Sequence, residues 1–151
     1  MNPKYTPPAW DSDLPFAIIC DIDGTLAHNV SGRSPYDWHR VGEDVVDEAI
    51  WRILRELSDY TMVGIILVSG RDAICAPETT RWLEENGVHW DHLHMRPVGD
   101  NQKDSIIKER IYREHIEGKY NVLFVLDDRK QVVDMWRSLG LKCLQVQPGD
   151  F

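Results

Sequence analysis

Short apolar runs that stop on acidic or hydroxyl residues recur along this chain, and they constrain its fold more than any other feature. Phe16-Ala17-Ile18-Ile19-Cys20 is continuously apolar and halts at Asp21. Met62 to Val68 halts at Ser69-Gly70-Arg71, and Val122 to Leu126 runs into Asp127-Asp128. A short apolar run bounded in this way fits a strand covered on both faces, as in a parallel sheet. His92 to Met95 reads as a weaker strand and Lys142 to Val146 as a closing one.

Between these runs the period changes to that of a helix. From Glu43 onward, Val46, Ile50, Ile53, Leu54 and Leu57 recur at spacings of three and four. Glu43 and Asp44 fall in the first turn of that predicted helix, where the dipole favours acids. Pro77 to Asn86 predicts a second helix, with Gly87 as its stop. Lys103 to His115 carries Ile106, Ile107 and Ile111 at helical spacing, and Gln131 to Leu139 is a further helix ended by Gly140. Gly24 to about Val41 is loop-like. This alternation predicts an α/β fold: a Rossmann-like parallel sheet of about five strands, flanked by helices, with a small cover loop after the first strand. A length of 151 residues suits one domain, expected over residues 16–151 behind a flexible N-terminal arm at 1–15.

The net charge of −8 argues against a general nucleic-acid binder with a basic footprint. It leaves room for an enzyme that grips a strand end through a few arginines, and it suits carboxylates gathered around a cation. The cysteines, Cys20, Cys75 and Cys143, are odd in number and scattered, which fits a reducing cytoplasm rather than a disulfide framework. No apolar run reaches the length of a membrane span, and no secretory signal is expected at the start.

Ligands of open α/β sheets bind beyond the carboxyl ends of the strands. Asp21, Asp23, Ser69, Asp127 and Asp128 are all expected there. Singly, each aspartate reads equally well as a turn residue or helix cap. Together, four carboxylates repel one another, and a hard divalent ion, most simply Mg²⁺, resolves that repulsion. Asp21 ends its strand and can face both a phosphate and the metal. Asp23, two residues on, can protonate a leaving alcohol and later deprotonate water. A carboxylate nucleophile divides phosphoryl transfer into two steps through an aspartyl-phosphate.

Asp21-Ile22-Asp23-Gly24-Thr25, Ser69 at a strand end, Lys103, and Asp127-Asp128 resemble the four ordered motifs of the haloacid dehalogenase superfamily. The resemblance implies Asp21 as nucleophile and Asp23 as general acid/base. It implies Ser69 and Lys103 as phosphoryl ligands, with Lys103 also fixing Asp21, and Mg²⁺ held by Asp21, Asp23, Asp127 and Asp128. Gly32-Arg33-Ser34-Pro35-Tyr36-Asp37, Val68-Ser69-Gly70-Arg71, Gly99-Asp100-Asn101-Gln102-Lys103-Asp104, Asp127 to Val133, Met135-Trp136-Arg137 and Gly149-Asp150-Phe151 are similar to the phosphatase domain of bacteriophage-type polynucleotide kinase-phosphatase. That likeness implies removal of 3′-phosphates, including 2′,3′-cyclic phosphates, from DNA or RNA ends. It adds Thr25, Arg33, Gly70, Arg71 and Asp100 to the expected substrate-binding set.

No G-x-x-x-x-G-K-[ST] loop occurs, so kinase activity is expected only from a separate kinase or ligase partner chain. Trp38, beside Tyr36 in the polar loop, is a candidate base-stacking platform. His89, His92 and His94 with Asp91 raise a zinc site, which no cysteine pair or later histidine completes. Free nucleotides or other small phosphomonoesters are the alternative substrates. A receiver-like phosphoacceptor domain is a third reading, opposed by Asp23, since a long-lived acyl phosphate is poorly served by an adjacent acid/base.

Overall fold

In the computed structural model, which describes residues 8–151, the first apolar run forms strand β1 (Phe16–Cys20), with Ala17 to Cys20 fully buried. A loop follows, pinched at its base by a hairpin of β2 (Ala27–His28) and antiparallel β3 (Val45–Val46). The chain continues through α1 (Glu48–Thr61), β4 (Gly64–Asp72), α2 (Ala76–Glu85), β5 (His92–Arg96), α3 (Asp104–His115), β6 (Asn121–Asp127), α4 (Lys130–Ser138) and β7 (Cys143–Gln145). Five strands pair in parallel in the order β5-β4-β1-β6-β7. This is the expected α/β architecture.

Alternation along each strand divides the core in two. Ala17, Ile19, Ile66 and Val68 face α3 and α4 through Ile107, Ile111, Val132 and Trp136. Ile18, Cys20, Ile65 and Leu67 face α1 and α2 through Ile50, Leu54, Trp82 and Leu83. The chain steps outward from β1 to β4 and β5, then returns to the other side of β1 as β6 and β7. The reversal opens a crevice at the carboxyl ends of β1, β4 and β6. The loop after β1 and the β5–α3 loop both reach this edge.

Several boundaries differ from the sequence reading. Helix α1 starts at Glu48 rather than Glu43, because Asp47 caps it by accepting from the Ile50 amide at 3.1 Å. Val45 and Val46 are spent on the hairpin, so Glu43 and Asp44 lie outside the helix. β4 runs past Val68 to Asp72, since Asp72 pairs with Arg96 after an irregularity in the ladder. Of the expected flexible arm, residues 1–7 lie outside the described residues, but Asp11 to Leu14 are fastened. The Asn121 amide donates to the Asp11 and Leu14 carbonyls at 2.7 and 3.0 Å and accepts from the Asp11 amide at 3.0 Å.

His92 and His94 share a face of β5, as a strand requires. They pack in a row: His94 stacks on His115 at 4.6 Å, and His92 on His94 at 6.3 Å. Asp91 accepts from the Ile65 amide at 2.7 Å through one oxygen, and its other oxygen lies 3.4 Å from His89 Nε2. Among the described residues, no helix is long and apolar enough to cross a membrane.

Two stability measurements follow from this packing. Asn121→Ala strands three main-chain groups of the N-terminal segment and is expected to cost about 1–3 kcal/mol in urea unfolding. Partial burial, with His115 and His92 nearby, pushes the His94 imidazole down from 6.5 to about 4. Between those values the unfolded chain binds more protons than the folded one, so stability is expected to fall as pH is lowered through that window. His94→Phe is expected to flatten the fall, read as melting temperature against pH.

Candidate active site

Asp21 follows β1 directly, and its amide still donates to the Leu126 carbonyl at 2.9 Å, extending the sheet register to this residue. Asp127 ends the neighbouring β6, and Asp128 follows it. Asp21, Asp127 and Asp128 are all buried, each with a carboxylate oxygen within 4.8 Å of the others'. Thr25 Oγ1 donates to Asp21 Oδ2 at 3.0 Å. Trp136 Nε1 donates to Asp127 Oδ2 at 3.2 Å, and the Asp128 amide to Asp127 Oδ1 at 2.9 Å. Gly24 has φ of +83°, and a Cβ there would lie 2.2 Å from Asp128 Oδ2. The tight turn just after Asp23 therefore needs glycine for both backbone and space.

The lysine of this group is Lys108, not Lys103. Lys108 lies within the apolar face of α3, adjacent to Ile107 and one turn before Ile111, and is 1% exposed. Its Nζ donates to Asp21 Oδ1 at 2.8 Å and to Asp127 Oδ2 at 3.0 Å. Burial opposes its charge, but Asp127, Asp21 and Asp104 hold the ammonium protonated well above the usual lysine range. One ammonium faces three buried carboxylates. Burial and then Asp127 accordingly push Asp21 well above the usual carboxylate range, and the same causes raise Asp128.

Beside this group the two expected arginines converge on an acid that sequence reasoning missed. Asp44 has a fully buried side chain and takes a bidentate pair from Arg33, with Nε to Oδ1 at 2.9 Å and Nη2 to Oδ2 at 2.7 Å. Arg71 Nη2 donates to Asp44 Oδ2 at 2.9 Å. Arg71 also holds the half-exposed Asp23 through Nε and Nη2, at 2.9 and 2.8 Å. The hydrogen bond that Arg33 donates to Asp44 raises the Arg33 pKa further, and the one to Asp23 does the same for Arg71 against the cost of burial. Asp23 thus keeps its carboxylate on Arg71, outside the Asp21–Asp127–Asp128 group where it was expected as a metal ligand.

Ser69 is fully buried, and its Oγ accepts from the Arg71 amide at 3.1 Å. Gly70 passes so close to α3 that a Cβ would lie 2.1 Å from Asp104 Oδ1. Asp104 opens α3, with Oδ2 at 3.7 Å from both Lys108 Nζ and Arg129 Nη1. Its Oδ1 is buried without a hydrogen-bond partner among the described residues. Asp100, expected in the substrate-binding set, lines the cleft and accepts from Arg110 at 3.0 Å and from the Gln102 amide at 3.0 Å. Lys103 occupies the cap position, exposed at the cleft, and its ammonium makes no hydrogen bond to Asp21. All these elements open on one cleft of about 620 Å³. Its walls are the loop after β1, with Arg33, Tyr36 and Trp38, and the β5–α3 loop with Arg129 and Phe151. Asp104 and Lys108 had a legible signal: a carboxylate and a lysine four apart on a helix, the lysine flanked by apolar positions.

Residues 15–151 match the family described as the polynucleotide kinase PNKP phosphatase domain. The chain is 37% identical over 142 residues to a protein of Autographa californica nuclear polyhedrosis virus described as a bifunctional polynucleotide kinase/RNA ligase; the match takes in 93% of this chain and 20% of the relative. It superposes on a chain of the Pnkp1/Rnl/Hen1 RNA repair complex with a TM-score of 0.93 at 41% identity, covering 100% of this chain and 48% of that one. The HAD domain of the effector protein Lem4 from Legionella pneumophila shares the fold, at a TM-score of 0.56 and 15% identity, over 91% of this chain and 89% of that one. The chain therefore spans a fifth of the viral relative and about half of the repair-complex chain.

Lys108→Ala leaves Asp21 and Asp127 buried without their shared cation and is expected to cost about 3–5 kcal/mol in denaturant unfolding without divalent ions. Lys103→Ala is expected to stay within about 0.5 kcal/mol of the parent in the same measurement.

Proposed function

Because the chain belongs to the polynucleotide kinase PNKP phosphatase-domain family, a branch of the haloacid dehalogenase fold, we propose that it removes phosphate from nucleic-acid 3′ ends through an aspartyl-phosphate on Asp21. The observation that carries this reading is the pairing of two aspartates in opposite settings. Asp21 is buried and fixed by Lys108 and Thr25, whereas Asp23 is half exposed to the cleft and steadied by Arg71.

In the first step an Asp21 carboxylate oxygen attacks phosphorus and the bond from phosphorus to the 3′ oxygen breaks. Asp23 gives its proton to that departing oxygen. In the second step Asp23 takes a proton from water as the water oxygen attacks the phosphoryl group, which frees Asp21 and releases inorganic phosphate. Lys108 keeps Asp21 oriented and opposes the charge that builds on the phosphoryl oxygens. Arg71 holds Asp23 near the leaving oxygen, and Arg33, anchored through Asp44, gives the cover loop a cation facing the cleft.

The donor set suits Mg²⁺. Asp21, Asp127 and Asp128 offer hard oxygens, and they carry more buried negative charge than Lys108 balances. Bound there, the ion supplies charge neutralisation and polarises phosphoryl oxygens. The three cysteines are buried free thiols, in keeping with a reducing cytoplasm. Kinase and ligase steps fall to other chains or segments, in keeping with the description of the viral relative as a kinase/RNA ligase.

The test is phosphate release from a 3′-phosphorylated oligonucleotide with and without Mg²⁺. Chelation is expected to abolish it, and Asp21→Asn to lower kcat at least about a thousandfold with an unchanged circular dichroism spectrum. Asp23→Asn is expected to lose about 10²–10⁴-fold. Turnover that survives Asp21→Asn would defeat the mechanism, and much faster turnover of free mononucleotides would defeat the substrate class.

A further inference from the structure

The cations of the cleft are nearly all committed to partners inside the protein. Arg33 and Arg71 are taken by Asp44 and Asp23, and Lys108 by Asp21 and Asp127. Arg96 donates to the Gly70 and Asp100 carbonyls at 2.8 and 3.0 Å, and Arg129 to the Phe151 carbonyl at 3.0 Å. Lys103 lines the same cleft, exposed, and among the described residues its ammonium has no hydrogen bond or ion pair.

Its main chain, in contrast, is held firmly. The β5–α3 loop is tied at Gly99, whose amide donates to Asp72 Oδ2 at 3.0 Å. It is tied again at Asp100, which accepts from Arg110 at 3.0 Å, and through Arg96. A fixed backbone carrying a free cation is suited to meet a charge that arrives with the substrate.

The position says which charge. Lys103 precedes Lys108 by five residues at the outer end of α3, so its Cα lies roughly 7.5 Å further from the Asp21 floor along the helix. That is comparable to the spacing of successive phosphates on a single strand. With the terminal phosphate at Asp21, the rest of the strand must leave through the cleft mouth. There it meets a protein of net charge −8, for which an unpaired lysine is a favourable contact.

Resting on the 3′-phosphatase reading, we propose that Lys103 binds the phosphodiester joining the terminal nucleotide to its 5′ neighbour. It is thereby a specificity residue that favours an oligonucleotide end over a mononucleotide, which lacks that group.

The experiment measures kcat/KM for 3′-phosphorylated substrates of one, two and six nucleotides, in the parent, Lys103→Ala, Lys103→Arg and Lys119→Ala. Lys119 is exposed beyond the far end of α3 and serves as the charge control. The hexamer-to-mononucleotide ratio is expected to fall about tenfold in Lys103→Ala and to persist in Lys103→Arg and Lys119→Ala. The slope of log kcat/KM against log salt on the hexamer is expected to become shallower by about 0.7 in Lys103→Ala, the mark of one lost phosphate contact on a single strand. A hexamer that is still turned over, with ratio and salt slope unchanged in Lys103→Ala, overturns the role of Lys103 and leaves the phosphatase reading standing. A parent protein that turns over no oligonucleotide overturns both.

Discussion

The ammonium of Lys108, held between Asp21 and Asp127 at 2.8 and 3.0 Å, connects the centre of the sheet to the helix layer above it. The two aspartates stand at the ends of adjacent parallel strands, so the β1–β6 register alone brings them together. Buried without a cation, the pair would carry a desolvation penalty of several kcal/mol per ion. Lys108 reaches them only if α3 lies with Ile107 and Ile111 on the sheet, because one residue of helical slippage turns a side chain by about 100°. The apolar packing of α3 and the orientation of the nucleophile are therefore one requirement. The third carboxylate, Asp128, has no ion-pair partner of its own among the described residues, and that imbalance suits a divalent ion.

The loop after β1 buries Leu26 and Val41, and charge fixes it further. Asp44 lies buried under Arg33 and Arg71, and its carbonyl accepts from Trp82 Nε1 at 2.8 Å, which binds the loop to α2. The opposite wall is secured by different means, through Arg96 reaching main-chain carbonyls. Each wall is fixed independently, and the sheet edge between them supplies the floor.

Much of this was legible in sequence because it is local. Phe16 to Cys20 and Val122 to Leu126 are apolar on both faces, so they announce central strands, and the residues after them fall at the sheet edge by geometry alone. Asp21, Asp23, Asp127 and Asp128 all stand at that edge. Lys103 and Lys108 could not be separated in this way, because both lie on or beside the same helix. Which one meets Asp21 depends on how that helix docks. The apolar flanks of Lys108 and its spacing from Asp104 were the usable clue. Asp44 gave no such clue: an acid just ahead of a helical pattern reads as a complement to the dipole, and its partners lie 11 and 27 residues away. The two-residue β3 is too short to show a period, which is why the start of α1 was read early.

Asp44 does not line the cleft, yet it sets the company that the lining arginines keep. Without it, Arg33 and Arg71 would both turn to Asp23, which stands 3.8 Å from Arg33 Nη2 already. The four side chains form a single coupled unit, in which paired substitutions fall far from the sum of their separate effects. A change at position 44 is therefore felt at 33 and 71 as well, three positions distant in the chain and chemically inseparable.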